Sequence, residues 1–249
     1  MSLAARMHMH SRNFEKGTYE NPRFWRRLGG APDLRGKRVL DLGCGLGSLC
    51  VHVAALGAAE VVGVDLDEEN IEFARQNVHR RFPELADRIH FMCQDVRTLE
   101  GPQFDYVISK DAFEHILDLP SVLAAVVRLV KPGGRIFIAL GPLYHSPLGD
   151  HGRLGLRIPW GHVLIPERWL LAHLNARRGT HFRSVEELGL NKYTVQEFRA
   201  IFETCGAKIV FYKENHTERS IAKVVSLLRK VRWLECFLTW NIYCVLQKN

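Results

Sequence analysis

The stretch that most constrains this chain is Val39-Leu40-Asp41-Leu42-Gly43-Cys44-Gly45-Leu46-Gly47-Ser48. Val39, Leu40 and Leu42 make the short apolar run of a buried strand, and three glycines follow at alternate positions. From Leu46 to Gly57 the apolar spacing is that of a helix. Strand, glycine turn and helix together present backbone N–H groups and a helix N-terminus to a ligand. Glycine suits the turn because a Cβ would obstruct both the bend and the approach of a ligand to the backbone. The dinucleotide fingerprint G-x-G-x-x-G does not fit, since its third glycine, counted from Gly43, falls on Ser48. Asp41 stands inside the strand just before the turn. A pyrophosphate has no use for an anion there, whereas a ligand carrying an ammonium group does.

Further strands alternate with helices. Glu60–Asp65 reads as a second buried strand ending in an acid, and Asp67 and Glu68 start the helix that carries Ile71, Phe73, Ala74 and Val78. Acids there favour the positive end of the helix dipole. Ile89–Cys93 is a third strand and Phe104–Ser109 a fourth. A helix over 118–130 leads through Lys131-Pro132-Gly133-Gly134 into a fifth strand, Arg135–Leu140. This alternation predicts a parallel sheet with helices on its faces. Asp65 lies about 20 residues beyond the glycines, where a doubly wound fold places the carboxylate that accepts from ribose hydroxyls. Residues 141–192 break the pattern with glycines, prolines, Trp160, Trp169 and five histidines. A long insertion leaving the C-terminal end of a strand reads as a substrate lid, with short helices near 166–177. Thr194 then caps a helix ending at Cys205-Gly206, Ala207–Tyr212 is a sixth strand, and a helix over 217–238 precedes a last strand, Asn241–Leu246.

The pattern D-L-G-C-G-x-G at Asp41–Gly47 resembles motif I of the class I S-adenosylmethionine (SAM)-dependent methyltransferases. Two later segments are similar to that family as well: Asp111-Ala112-Phe113-Glu114-His115 resembles the D-x-x-E-H of its small-molecule branch, and Lys131–Gly134 its Pro-Gly-Gly turn. The resemblance covers residues 37–140 and 193–249. It implies a Rossmann-like, doubly wound α/β fold whose seven-stranded, mostly parallel sheet ends in an antiparallel strand. By the same resemblance the cofactor is S-adenosyl-L-methionine. Asp41, Gly43, Cys44, Gly45 and Gly47 would hold its methionine part, Asp65 and Leu66 its ribose, and Asp95 and Val96 its adenine; Ser109 and Lys110 would lie beside the methyl group. A loop-capping aspartate would look the same at position 95. The segment does not resemble the N/D-P-P-Y/F motif of enzymes that methylate amide or exocyclic nitrogens.

The sequence therefore predicts one methyltransferase domain over 1–249, with an N-terminal cap (1–36), a SAM-binding core (37–140), the lid (141–192) and a completion of the core (193–249). The expected reaction is methyl transfer to a small or medium-sized molecule, at oxygen. A hydroxyl acceptor ionises poorly near neutrality, so a base helps, and histidine suits that work. His115, His145 and His151 are the candidates, with Asp150 beside the lid pair; histidines bonded to backbone in an irregular lid are the alternative. A divalent metal on His145, Asp150, His151 and His162 matches no metal spacing, and no metal is expected. The lid arginines (Arg153, Arg157, Arg168, Arg177 and Arg178) could clamp an anion or simply face solvent.

Composition bounds the alternatives. A formal charge of +7 permits an anionic substrate without demanding one. An RNA or protein methyltransferase using the basic Arg23-Phe24-Trp25-Arg26-Arg27 segment ranks second, because acids interrupt the basic face that nucleic acid needs. A SAM-binding regulator without catalysis is the reading from another class, and the glycine spacing argues against an NAD-dependent dehydrogenase. No apolar run approaches the roughly 18 residues of a membrane span. With no secretory signal, a cytoplasmic protein is expected. The six cysteines show no C-x-x-C pair and read as free thiols.

Overall fold

The computed structural model describes residues 3–156, 158–215, 231 and 233–249. Helix α1 (Leu3–Arg27) precedes strand β1 (Arg38–Leu42). Helix α2 (Ser48–Ala55), β2 (Glu60–Asp65), α3 (Glu68–Arg81), the single turn α4 (Pro83–Ala86) and β3 (Ile89–Cys93) follow. Next come β4 (Phe104–Lys110), α5 (Leu119–Leu129) and β5 (Val130–Leu140). The insertion holds α6 (Gly161–Leu164) and α7 (Glu167–Arg178). Helix α8 (Val195–Thr204), β6 (Ala207–Glu214), a short helix at Glu235–Leu238 and β7 (Ile242–Lys248) complete the chain. Residues 217–230 of the helix expected over 217–238 lie outside the described residues.

All seven strands form one sheet in the order β3-β2-β1-β4-β5-β7-β6, with β7 antiparallel to both neighbours and the first five parallel. This is the doubly wound fold that the sequence predicts. Buried strands alternate their side chains between the two faces. Val39 packs under Leu49, Val53, Ile71 and Phe73 on the face covered by α1–α3, whereas Leu40 and Leu42 pack with Leu123, Phe198 and Phe202 of α5 and α8. Asp41 shares its face with Val39, so a carboxylate is carried into the interior at the end of the central strand.

Caps mark the helix starts as expected. Asp67 accepts from the N–H groups of Glu69 and Asn70, and Thr194 and Glu197 form a reciprocal capping box. The fifth strand differs from expectation. It begins at Val130 rather than Arg135, because Lys131–Gly134 form a bulge between the pairs Phe104–Val130 and Tyr106–Arg135. All six cysteines are free, three of them buried. Among the described residues no helix is long and apolar enough to cross a membrane.

The order of strands reverses at β1, which has β2 on one side and β4 on the other. Ligands of open α/β sheets bind outside the carboxyl ends of the strands at such a switch point. At that place Gly47 caps α2 in the left-handed region (φ 80°), and a Cβ added there would come within 2.6 Å of Phe91 and 3.1 Å of Ala74. Gly133, also left-handed (φ 75°), has nothing within 4 Å of an added Cβ. Gly47→Ala should therefore cost about 2–4 kcal/mol, from conformational strain plus overpacking, and Gly133→Ala about 1–2 kcal/mol from strain alone. Urea denaturation of both variants, at unchanged m-value, measures the difference.

Candidate functional site

The turn after β1 is fastened to the tip of β2. The Gly45 N–H donates to one oxygen of Asp65 at 2.8 Å, and the Asp67 N–H donates to the other at 3.0 Å. Gly45 is left-handed (φ 49°), and an added Cβ would meet nothing within 4 Å, so the turn faces open space there. Leu66, next along, is 73% exposed. Asp41 is buried beside this turn and accepts from the Cys50 thiol at 3.1 Å. Burial pushes its carboxyl up to about 7, against the opposing pull of the Cys50 hydrogen bond and the Lys110 charge. Gly63, opposite Asp41 in the sheet, leaves room for both Cys44 and Cys50, whose sulfurs would lie within 3.0 Å of a Cβ there.

Other expected cofactor contacts have partners of their own. Asp95 caps the short turn Val96–Thr98, and both its oxygens accept from the Arg97 guanidinium. That is the loop-capping arrangement the sequence left open. Val96 is buried. The Ser109 hydroxyl is fully buried and donates to the Leu42 carbonyl at 2.9 Å, which ties β4 to β1. Lys110 reaches towards α1, donating to Asn21 at 3.2 Å and lying 3.8 Å from Glu20. Asn21 is itself buried and donates to the Ser48 carbonyl at 2.9 Å. One side chain of α1 thus bridges the start of α2 and the end of β4.

A cleft of about 350 Å³ opens beside Lys110, between α1, the ends of β4 and β5, and the start of β7. Lys16, Glu20, Arg23 and Arg27 reach it from α1, Lys110 from the end of β4 and Asp111 from just beyond it, and Pro142 and Leu148 from the insertion. Asp111 has a positive φ of 57°, and its N–H donates to the Ala139 carbonyl at 2.8 Å. Burial raises its carboxyl to about 6, with the Lys110 ammonium opposing. Glu114 is buried behind it, accepting from the Gly141 N–H at 2.9 Å with one oxygen while the other has no hydrogen-bond partner. Burial, reinforced by Asp111, lifts the Glu114 carboxyl well above its ordinary range.

The three candidate histidines do not line this cleft. Each donates to a backbone carbonyl: His115 to Gly189 at 2.8 Å, His145 to Lys192 at 3.0 Å and His151 to Pro142 at 2.8 Å. The ring of His151 lies edge-on to His115 at 4.7 Å, while His145 contacts Tyr144 and Phe237. The lid pair expected from sequence is therefore replaced by a pair between His151 and His115. Burial pushes His115 down to about 4, helped by Arg153, which lies 3.5 Å from its Nε2. Burial lowers His145 and His151 as well.

His145, Asp150, His151 and His162 are not brought together as metal ligands among the described residues. The donors that do converge are Glu114, His115 and His151, within 4.8 Å of one another, and they could hold a divalent cation. Arg153 already provides a cation there, also donating to the Leu188 and Gly189 carbonyls. Asn191 fastens the insertion to the same segment, donating to the Phe113 and Ile116 carbonyls. Arg157 lies outside the described residues. The sequence pointed to D-x-x-E-H as a unit but assigned no role to Asp111, Arg153 or Asn191 in it. The only local signal for Asp111 was its place as the first acid of that segment.

Comparison with known proteins gives the following. Residues 33–145 match the family described as "Methyltransferase domain". The ubiquinone biosynthesis O-methyltransferase of Neisseria meningitidis serogroup C is 40% identical over 115 residues, 45% of this chain and 47% of that protein. That of Aromatoleum aromaticum is 38% identical over 106 residues, 43% of this chain and 44% of the relative. The chain thus spans about half the length of the curated relatives it matches. Phosphoethanolamine N-methyltransferase 2 of Haemonchus contortus, solved with S-adenosyl-L-methionine, superposes with a TM-score of 0.61 at 19% identity, over 92% of this chain and 52% of that one. The [4+2]-cyclase SpnF superposes with a TM-score of 0.58 at 16% identity, over 93% and 81%. These likenesses show the fold.

The raised carboxyl of Asp41 carries a test of its own. Between about pH 4 and pH 7 the folded chain holds a proton at Asp41 that the unfolded chain releases, so its contribution to stability falls as pH rises through that window. Asp41→Asn removes this titration. Its stability relative to wild type should grow across pH 4–7 and level off above, reaching on the order of 3–4 kcal/mol. Urea midpoints of the two proteins at pH 4, 5.5, 7 and 8.5 measure it.

Proposed function

We propose, from the match of residues 33–145 to the family described as "Methyltransferase domain", that this chain is a class I, S-adenosylmethionine-dependent methyltransferase and methylates a small molecule at oxygen. The observation that carries the proposal is the juxtaposition at the switch point. A glycine turn with Asp41 and Asp65 lies on one side of it, and a cleft holding Asp111 lies on the other. The two relatives from Neisseria meningitidis and Aromatoleum aromaticum are O-methyltransferases by name, which supports oxygen as the acceptor.

The residues of the turn fit S-adenosyl-L-methionine. Asp41 is a buried carboxylate whose hydrogen-bond donor among the described residues is one thiol, which leaves it able to take an ammonium group. Each Asp65 oxygen accepts one backbone N–H and keeps a second lone pair for a ribose hydroxyl. Gly43, Cys44, Gly45 and Gly47 form the surface for the methionine part, with Leu66 flanking the ribose. Val96 is assigned to the adenine, and Asp95 can accept its amine only by sharing oxygens with Arg97. Ser109 contributes by fixing β4, and Lys110 by standing at the mouth of the cleft. When bound, the cofactor supplies a methyl group made electrophilic by the sulfonium.

The rest falls to this chain's own groups. Asp111 is the residue of the cleft suited to take the acceptor's hydroxyl proton, since its carboxyl, raised to about 6, is ionised at neutral pH yet more basic than an exposed aspartate. Burial supplies that basicity, and the like charge of Glu20 across the cleft adds to it. His115 and His151, neutral and bonded to backbone, hold the segment in shape and remain the second candidates for the proton. α1 serves as the cap and residues 141–192 as the lid; Pro142 and Leu148 already bring the insertion to the cleft, where closure would exclude water.

Calorimetric titration should give binding of S-adenosyl-L-methionine and its demethylated product. A panel of phenols should then yield methyl ethers together with that product. No binding of either sulfur ligand overturns the reading. Asp111→Asn should lower kcat by about 10²–10³-fold with affinity for the demethylated cofactor retained. The wild-type kcat/KM should rise with pH through about 6, since the base must be deprotonated, and the variant should lack that limb. Loss of turnover in His115→Ala or His151→Ala, with Asp111→Asn active, would move the base to the histidines.

A further inference from the structure

The cleft beside Asp111 has a charge pattern that the proposed methyl transfer does not require. Lys16, Glu20, Arg23 and Arg27 all reach it from α1. Their spacing of four, three and four residues puts them in one stripe along a helix face. With Lys110 and Asp111 opposite, four cations face two carboxyl groups. Glu20 is shared between two of the cations, lying 4.0 Å from Lys16 and 3.8 Å from Lys110. Arg27 donates to the Tyr243 hydroxyl at 2.6 Å. Arg23 makes no ion pair or hydrogen bond among the described residues, and its exposed side chain lines the cleft.

The remaining wall is apolar and aromatic. Phe24 is buried beneath the stripe, and Leu148 and Trp240, 46% and 45% exposed, close the opposite side. A volume of about 350 Å³ lies at the small end of ligand pockets and suits a one- or two-ring molecule. A basic stripe along one wall and an aromatic surface along the other select an amphipathic anion. Arginine is suited to the charged end because its planar fork pairs with carboxylate or phosphate through two parallel hydrogen bonds. The stripe from Lys16 to Arg27 is about 16 Å long, so an acidic group can dock on it clear of the like charge of Asp111.

We infer that the acceptor is an acid: a hydroxylated aromatic whose carboxylate or phosphate docks on Arg23 and Lys16 at the mouth, with its ring against Phe24 and Trp240 and its hydroxyl towards Asp111. This rests on the reading of the cleft as the acceptor site of a methyltransferase. It adds that charge recognition sits on the N-terminal helix, outside the part of the chain that matches the family.

The test is calorimetric titration of the full chain, loaded with S-adenosylhomocysteine, using three ligands that share one phenol: 3-hydroxyphenylacetate, 3-hydroxyphenyl phosphate and 3-hydroxyphenylacetamide. One of the acids should bind at least tenfold tighter than the amide, and which acid leads identifies the head group. That preference should collapse in Arg23→Ala, recover in part in Arg23→Lys, and weaken in Lys16→Ala, with thermal midpoints unchanged because both side chains are exposed. Raising NaCl from 50 to 500 mM should weaken the acids and spare the amide. Equal affinity for all three ligands, or binding of none, with S-adenosylhomocysteine bound normally, overturns the inference and leaves methyl transfer standing. Failure to bind S-adenosylhomocysteine overturns the underlying reading instead.

Discussion

The hydrogen bond from the Gly45 N–H to Asp65 joins the turn after the central strand to the tip of its neighbour. It fixes where the open, left-handed part of the turn faces and which carboxylate oxygens remain for a ligand. Asp65 can reach Gly45 because β1 and β2 pair in parallel register, Asp41 opposite Gly63, so both strands end at the same level. Gly63 in turn admits the two sulfurs that pack beside Asp41. A shift of one residue in this register would send Asp41 to the other face of the sheet and separate the turn from its anchor.

Buried charge organises the second half of the site. Asp41, Asp111 and Glu114 are all carboxyl groups that burial makes reluctant to ionise, and they lie along the carboxyl ends of β1 and β4. Burying such groups costs stability, and their concentration at one sheet edge is more often a mark of chemistry than of packing. Arg153 and Lys110 temper them from opposite sides, the first from the insertion and the second from β4 beneath α1. The insertion and the N-terminal helix are therefore electrically coupled to the core as well as packed against it.

Local chemistry made much of the fold legible. The apolar runs of β1, β2 and β4, the caps at Asp67 and Thr194, and the three glycines each act through near neighbours in the chain, so their consequences can be read in order along it. The bulge at Lys131–Gly134 and the partner of each histidine could not be read that way. His115, His145 and His151 are chemically alike in sequence. Their difference comes from carbonyls of Gly189, Lys192 and Pro142, two of them dozens of residues distant. Asp95 was ambiguous for a local reason, since a capping aspartate and a ligand-binding one have the same neighbours.

The sequence by itself determined a parallel sheet with helices on its faces, the glycine turn after β1, and the acids at the ends of β1 and β2, because periodicity and glycine spacing constrain the backbone directly; the order of the strands, and with it the switch point at β1, came from the structure. Tertiary structure alone decided that Asp111 rather than a lid histidine lines the cleft, that His151 meets His115, and that α1 lays a stripe of cations along one wall. Those outcomes depend on contacts across the fold, such as Lys110 to Asn21 and Asn191 to Phe113. A hydrogen bond or a buried charge acts over a few ångströms of space, whatever the separation along the chain, so spacing in the sequence carries no signal of it.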